Sequence, residues 1–201
     1  MKIPYLIDLI AVSVFAVSGT LAAGRKSLDL VGVYVIAVVT AIGGGTLRDV
    51  LLDRHPLFWV VDPNYLFAIA GAVAVTLAYV RFRPPPFQLL LIADAVGLSV
   101  FSIIGTHFAE EQGRPWIVAV VMGTLTGTAG GVIRDILCND IPILFREGYL
   151  YATAAAVGAT VYMFVQAPLG NEWAAYIGMA VVAVLRFGSI IYKWNLPRFT
   201  L

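Results

Sequence analysis

The chain has 201 residues, 60% of them hydrophobic and 12% charged, with a mean hydropathy of +0.89 and a formal net charge of +1. Soluble domains carry about 25% charged residues, so half that share leaves too few charges to coat a globule in water and makes the bilayer the expected solvent. The small net charge, without a basic stripe, speaks against a nucleic-acid partner, while the single Cys138 excludes an internal disulfide framework and His55 and His107 belong to no metal-ligand spacing.

About 20 consecutive apolar residues cross a hydrocarbon core, and seven such spans can be read in order. The first covers 5–22 and is closed by Arg25-Lys26. Lys2 and Thr20-Leu21-Ala22 imitate a secretory signal, but Asp8 inside the apolar run marks a retained membrane helix. The second covers 30–52, with Gly43-Gly44-Gly45 at its middle and Asp53-Arg54-His55-Pro56 at its end. A glycine inside a helix costs roughly 1 kcal/mol against alanine, so the run predicts an interruption or kink there. The third covers 64–80, followed by the linker Arg81-Phe82-Arg83-Pro84-Pro85-Pro86, whose prolines cannot continue a helix. The fourth covers 87–108, with a turn marked by Glu110-Glu111 and Arg114-Pro115. The fifth covers 116–138 and is again interrupted, near Ala129-Gly130-Gly131. The sixth covers 148–166, Pro168-Leu169-Gly170-Asn171 is a turn, and the seventh covers 173–194.

The chain repeats itself without gaps at an offset of 86. Asp8 meets Asp94, Ser13-Val14-Phe15 meets Ser99-Val100-Phe101, and Gly19-Thr20 meets Gly105-Thr106. Thr40 meets Thr126, Gly44-Gly45 meets Gly130-Gly131, Arg48-Asp49 meets Arg134-Asp135, Pro56 meets Pro142, and Tyr65 meets Tyr151. Three spans per copy is an odd number, so the second copy enters the membrane from the opposite side, the inverted-repeat layout of many transport proteins. The fold expected is therefore an all-α polytopic membrane protein with seven transmembrane helices. Its parts are a first repeat (1–83), a second, inverted repeat (87–167), and a seventh helix with C-terminal tail (171–201) that has no counterpart and reads as peripheral.

Lys2, Arg54 and Arg114 fall on one face, and Arg25, Lys26, Arg81, Arg83, Arg146, Lys193 and Arg198 on the other. The richer face is expected in the cytoplasm of a cell (inner) membrane, with the N-terminus outside. Tyr5, Trp59, Trp116, Trp173, Tyr192 and Trp194 near span ends fit an aromatic belt.

The candidate site residues are the breaks and the charges beside them. Uncoiling at Gly43, Gly44 and Gly45, and at Ala129, Gly130 and Gly131, would free carbonyls that suit a cation, and such breaks in matching positions point to a permeation or binding site. The competing reading is close packing along the small-residue stripes Ala37, Ala41, Gly45 and Gly123, Gly127, Gly131. Arg48-Asp49 and Arg134-Asp135 have two readings: a clasp in which Arg48 reaches Asp135 and Arg134 reaches Asp49, or charges on a water-filled path. Asp8 and Asp94 line vestibules or cap a neighbouring helix end, and Ser13, Ser18, Ser99 and Ser102 add hydroxyls. No Gly-x-Ser-x-Gly, Walker loop or His-Glu-x-x-His occurs in the sequence, so catalysis is not expected.

Gly43-Gly44-Gly45-Thr46-Leu47-Arg48-Asp49, its partner Gly130-Gly131-Val132-Ile133-Arg134-Asp135 and the helix count resemble the trimeric intracellular cation (TRIC) channel superfamily, in its prokaryotic branch. The resemblance covers nearly the whole chain. It implies a homotrimer in which each protomer has its own pore between the inverted repeats, with the second and fifth spans kinked at the glycines and the Arg-Asp pairs flanking the pore. It further implies conduction of monovalent cations, chiefly potassium, with no cofactor beyond the permeant ion and surrounding lipids. The second motif has Ala129 where the first has Gly43, and the Lys-Glu-Val lipid-binding signature of the animal channels is not recognisable. Bacterial relatives with the same doubled motif include proteins regarded as glycine transporters. A small-solute transporter with alternating access, and a scaffold whose breaks serve packing alone, therefore stand beside the channel.

Overall fold

The computed structural model describes residues 5–83, 85–146, 149–194 and 197. Lys2 and Arg198 of the charge count, Pro84 of the linker and Gly148 at the expected start of the sixth span lie outside them. Eight helices occur among the described residues: α1 (Tyr5–Arg25), α2 (Leu30–Leu51), α3 (Phe58–Val61), α4 (Asn64–Phe82), α5 (Phe87–Glu111), α6 (Trp116–Leu137), α7 (Ala152–Leu169) and α8 (Asn171–Tyr192). All but the one-turn α3 are long and apolar enough to cross a membrane. Their outer surface is apolar, as lipid requires: Phe67 and Val75 on α4 are 71% and 70% exposed.

The seven expected spans are all present, with shifted ends. Glu110 and Glu111 extend α5, and α7 continues through Pro168 to Leu169 before the chain turns at Gly170, where φ is +79°. The short α3 and a 3₁₀ turn at Ile143–Phe145 follow the two Arg-Asp motifs and were not expected.

Contacts among helix ends and loops define two faces. At one, the Tyr5 hydroxyl donates to Asp62, and Gln112 Nε2 donates to the Leu52 carbonyl at 3.0 Å. At the other, Arg25 lies 4.8 Å over the Phe87 ring, and Lys26 pairs with Asp140 at 3.0 Å. Thus α5 begins on the face where α1 ends, and the second repeat enters inverted. Phe15 and its repeat partner Phe101 stack at the centre with ring centroids 5.4 Å apart.

Small residues set two kinds of close approach. Within each repeat, a Cβ on Gly19 would lie 2.8 Å from the Ala37 Cα, and one on Gly105 would lie 3.0 Å from the Gly123 Cα. The small-residue stripes therefore pack α2 on α1 and α6 on α5. Between repeats, α2 crosses α6 at other glycines. A Cβ on Gly44 would sit 2.0 Å from the Thr126 carbonyl oxygen, and one on Gly130 would sit 2.2 Å from the Thr40 carbonyl oxygen.

The expected interruption is absent: α2 is helical through Gly43–Gly45, and α6 through Ala129–Gly131. A backbone group released inside hydrocarbon needs a new partner, and the close crossing supplies none, so each helix keeps its own ladder. The glycines here serve approach, and tertiary packing overrides their poor helix propensity.

The seventh span is not peripheral. A Cβ on Gly158 would lie 2.8 Å from the Gly178 carbonyl oxygen, and one on Gly178 would lie 2.8 Å from Ile103 Cδ1, so α8 is seated against both α7 and α5. This seat buries Val182, Arg186 and Ser189 completely.

Candidate functional site

Because the repeats are inverted, the two Arg-Asp motifs lie toward opposite faces, on either side of the Gly44–Gly130 crossing. Each arginine folds back onto the aspartate beside it. Arg48 Nε and Nη2 reach Asp49 Oδ1 at 2.8 and 2.7 Å, and Arg134 Nε reaches Asp135 Oδ1 at 2.8 Å. The cross-repeat clasp is therefore corrected. Neighbouring side chains leave a helix about 100° apart, yet an arginine stem is long enough to span that angle, whereas a partner at the opposite face is out of reach.

The free oxygen of each aspartate anchors the next segment. Asp49 Oδ2 accepts from the Phe58 amide at 3.2 Å, at the start of α3, and Asp135 Oδ2 accepts from the Ile143 amide at 2.8 Å, at the 3₁₀ turn. Each motif thereby ends its helix and fixes the re-entry of the chain. A second repeated pair supports each motif: Tyr65 donates to Asp8, and Tyr151 donates to Asp94 at 3.0 Å.

Here the halves diverge. In the second, Arg134 Nη1 also reaches Asp94 Oδ1 at 2.8 Å and the Ser18 hydroxyl of α1. Arg186 of α8 adds a guanidinium 3.6 Å from Asp94 Oδ2 and 4.6 Å over the Tyr151 ring. Arg134, Asp94 and Arg186 are all 0% exposed. In the first, Arg48 faces aromatic rings instead, lying 4.3 Å over Phe108 and 5.6 Å over Phe58, and makes no ion pair with Asp8 among the described residues. A polar cavity of about 310 Å³, lined by Asp49, Asp53, Arg54, His55, Pro56 and Phe58, opens beside it.

The glycines of each run have separate neighbours. A Cβ on Gly43 would meet Ile133, one on Gly45 the Phe58 ring, and one on Gly131 the Tyr151 hydroxyl, while Ala129 is buried. Sequence reasoning paired Tyr65 with Tyr151 but did not place them on the aspartates, and it missed Arg186. A lone arginine inside an apolar span is itself a signal, but α8 has no repeat partner to draw attention to it. His107, assigned to no motif, contacts the Tyr162 hydroxyl at 3.0 Å, which in turn donates to Glu110 at 3.0 Å.

The family model described as "Glycine transporter" matches residues 5–81 and again residues 91–167. The chain belongs to this family. Its TRIC-like fold is clear from solved structures. The TRIC trimeric intracellular cation channel orthologue from Rhodobacter sphaeroides matches with a TM-score of 0.88 and 35% identity, over 94% of this chain and 97% of that one. A prokaryotic TRIC channel solved in 0.5 M KCl matches with a TM-score of 0.88 and 33% identity, over 95% and 97%. The UPF0126 inner membrane protein YadS of Escherichia coli (strain K12) is 42% identical to this chain over 98% of it and 96% of its own length.

Proposed function

We propose that the protein is a passive channel for monovalent cations, chiefly potassium, working as a homotrimer in a bacterial inner membrane with a pathway between the inverted repeats of each protomer. The reading draws on the likeness, at a TM-score of 0.88 and 35% identity, to a protein described as a trimeric cation channel. The structural observation that carries it is the α2–α6 crossing, where Gly44 and Gly130 rest on the carbonyls of Thr126 and Thr40. A contact of glycine on backbone has few side-chain interactions to break, so the two helices can part or bend there at low cost. In the conformation described here the crossing is closed, and conduction requires them to part. Gly43–Gly45 and Ala129–Gly131 act as the hinges. Arg48, Asp49, Arg134, Asp135 and Asp8 set the charge on either side, where carboxylates favour cations. Arg25, Lys26, Arg81, Arg83 and Arg146 lie on the cytoplasmic face under the positive-inside rule.

The test is purified protein in a planar bilayer under a potassium chloride gradient. Single-channel steps that reverse near the potassium equilibrium potential are expected, and reversal near the chloride value overturns the reading. The second reading is a glycine-type transporter using the same crossing as an alternating barrier, and the family description favours it. Saturable glycine uptake into liposomes, without single-channel steps, would decide for it.

A further inference from the structure

Arg186 separates the two halves of the site, because α8 follows both repeats and has no counterpart. Its guanidinium is fully buried, and Nε, Nη1 and Nη2 find no hydrogen-bond partner among the described residues. Asp94 Oδ2, 3.6 Å from Arg186 Nη2, likewise accepts no hydrogen bond. A buried arginine with unfilled donors is expensive, so the seat of α8 holds it in place against that cost, and the Asp94 carboxylate supplies the nearest compensating charge. Formal charges then balance in the second half: Asp94 and Asp135 face Arg134 and Arg186. In the first half Asp8 and Asp49 face Arg48 alone. Arg54, the next cation, stacks 3.6 Å over the Phe108 ring in the cavity wall and forms no ion pair among the described residues. Asp8 is only partly buried, and its one hydrogen-bond partner among the described residues is the Tyr65 hydroxyl.

We propose that Arg186 is a built-in counter-ion that withdraws Asp94 from the ion path, leaving Asp8 as the carboxylate that selects for cations. Arg186 acts through Asp94 and touches no permeant ion itself. The inference rests on the channel reading and makes the protomer's two pseudo-symmetric half-sites unequal in function: one a closed electrostatic knot, the other the selective end.

Reversal potentials under a potassium chloride gradient, together with thermal melting in detergent, test it on the whole protein. Asp8→Asn is expected to move the reversal potential toward the chloride value. Asp94→Asn is expected to leave it in place but to lower the melting temperature, because Arg186 loses its counter-charge. Arg186→Gln is expected to sharpen cation selectivity, and adding Asp94→Asn to it to abolish that gain while melting above Asp94→Asn alone. Arg186→Lys keeps the charge and keeps wild-type selectivity. If Arg186→Gln does not assemble, the comparison of Asp8→Asn with the double variant carries the test. A conducting wild type in which Asp94→Asn shifts selectivity as far as Asp8→Asn overturns the inference, as do melting effects of Asp94→Asn and Arg186→Gln that merely add. A folded wild type without cation-selective current overturns the channel reading, and the selectivity role with it.

Discussion

Asp8 and Asp94 occupy the same place in two copies of one unit, carry the same tyrosine partner, and live in different surroundings. Asp94 is sealed among Arg134, Tyr151 and Arg186, whereas Asp8 accepts from the Tyr65 hydroxyl and keeps a partly open position. Two changes account for this. Ser18 gives Arg134 a hydroxyl from the other repeat, whereas the position that matches Ser18 at the offset of 86 is the apolar Ile104, and α8 lends Arg186 to one half only. The repeat thus fixes the framework, and single residues outside its symmetry decide what each half does with it.

The largest effect separates the two arginines. Arg134→Met leaves Asp94 and Asp135 short of a cation in a dry setting, and breaking such a buried pair costs about 3–5 kcal/mol. Arg48→Met, beside a polar cavity, is expected to cost clearly less. Equal melting temperatures for the two variants would remove the contrast between closed and open halves.

The crossing should behave in the opposite way, as a shared feature. Gly44→Ala and Gly130→Ala each push a methyl into a carbonyl, and overpacking of this kind costs about 1–3 kcal/mol. Similar losses are expected from both, because each glycine rests on the equivalent carbonyl of the other half. Gly71→Ala on α4, where a Cβ meets nothing within 4 Å, serves as the control and should be neutral or stabilising by up to about 1 kcal/mol. Strongly unequal losses at Gly44 and Gly130 would show that the crossing is not symmetric.

The tyrosines sharpen the same comparison more gently. Tyr65→Phe removes the one hydrogen bond that Asp8 makes among the described residues, while Tyr151→Phe leaves Asp94 with Arg134. Each loss is worth about 1 kcal/mol in stability, but only Tyr65→Phe is expected to change conductance. The smallest effect concerns Cys138, which sits where the first repeat has Leu52 and is equally buried, at 4% exposure for both. Maleimide labelling should be slow in folded protein and complete after unfolding, and Cys138→Leu should leave melting almost unchanged.

Much of this architecture was readable in advance, for reasons that also mark where reading stops. Hydropathy located all seven spans because lipid tolerates little else, and the offset of 86 gave the inverted pairing of Asp8 with Asp94 and of Tyr65 with Tyr151. Glycine runs pointed to the place where the halves meet, but propensity suggested uncoiling where packing keeps the helices whole. The clasp between motifs was excluded by a fact already in hand, since inversion carries Arg48 and Asp135 to opposite faces. Arg186 could not be reached through the repeat at all. It is visible only as one cation in an apolar span, and its partner on α5 is a matter of tertiary structure.

The Gly44–Gly130 contact has one more consequence. Each half offers its neighbour the very surface it requires in return, so the joint is self-complementary in the manner of a two-fold dimer. A half-length chain inserted in both directions could make it with a second copy of itself, and any substitution would then be felt on both sides at once. Fusing the halves into one polypeptide frees each side to change alone, and that freedom allows a residue such as Arg186 to serve one carboxylate and leave its twin without a second arginine.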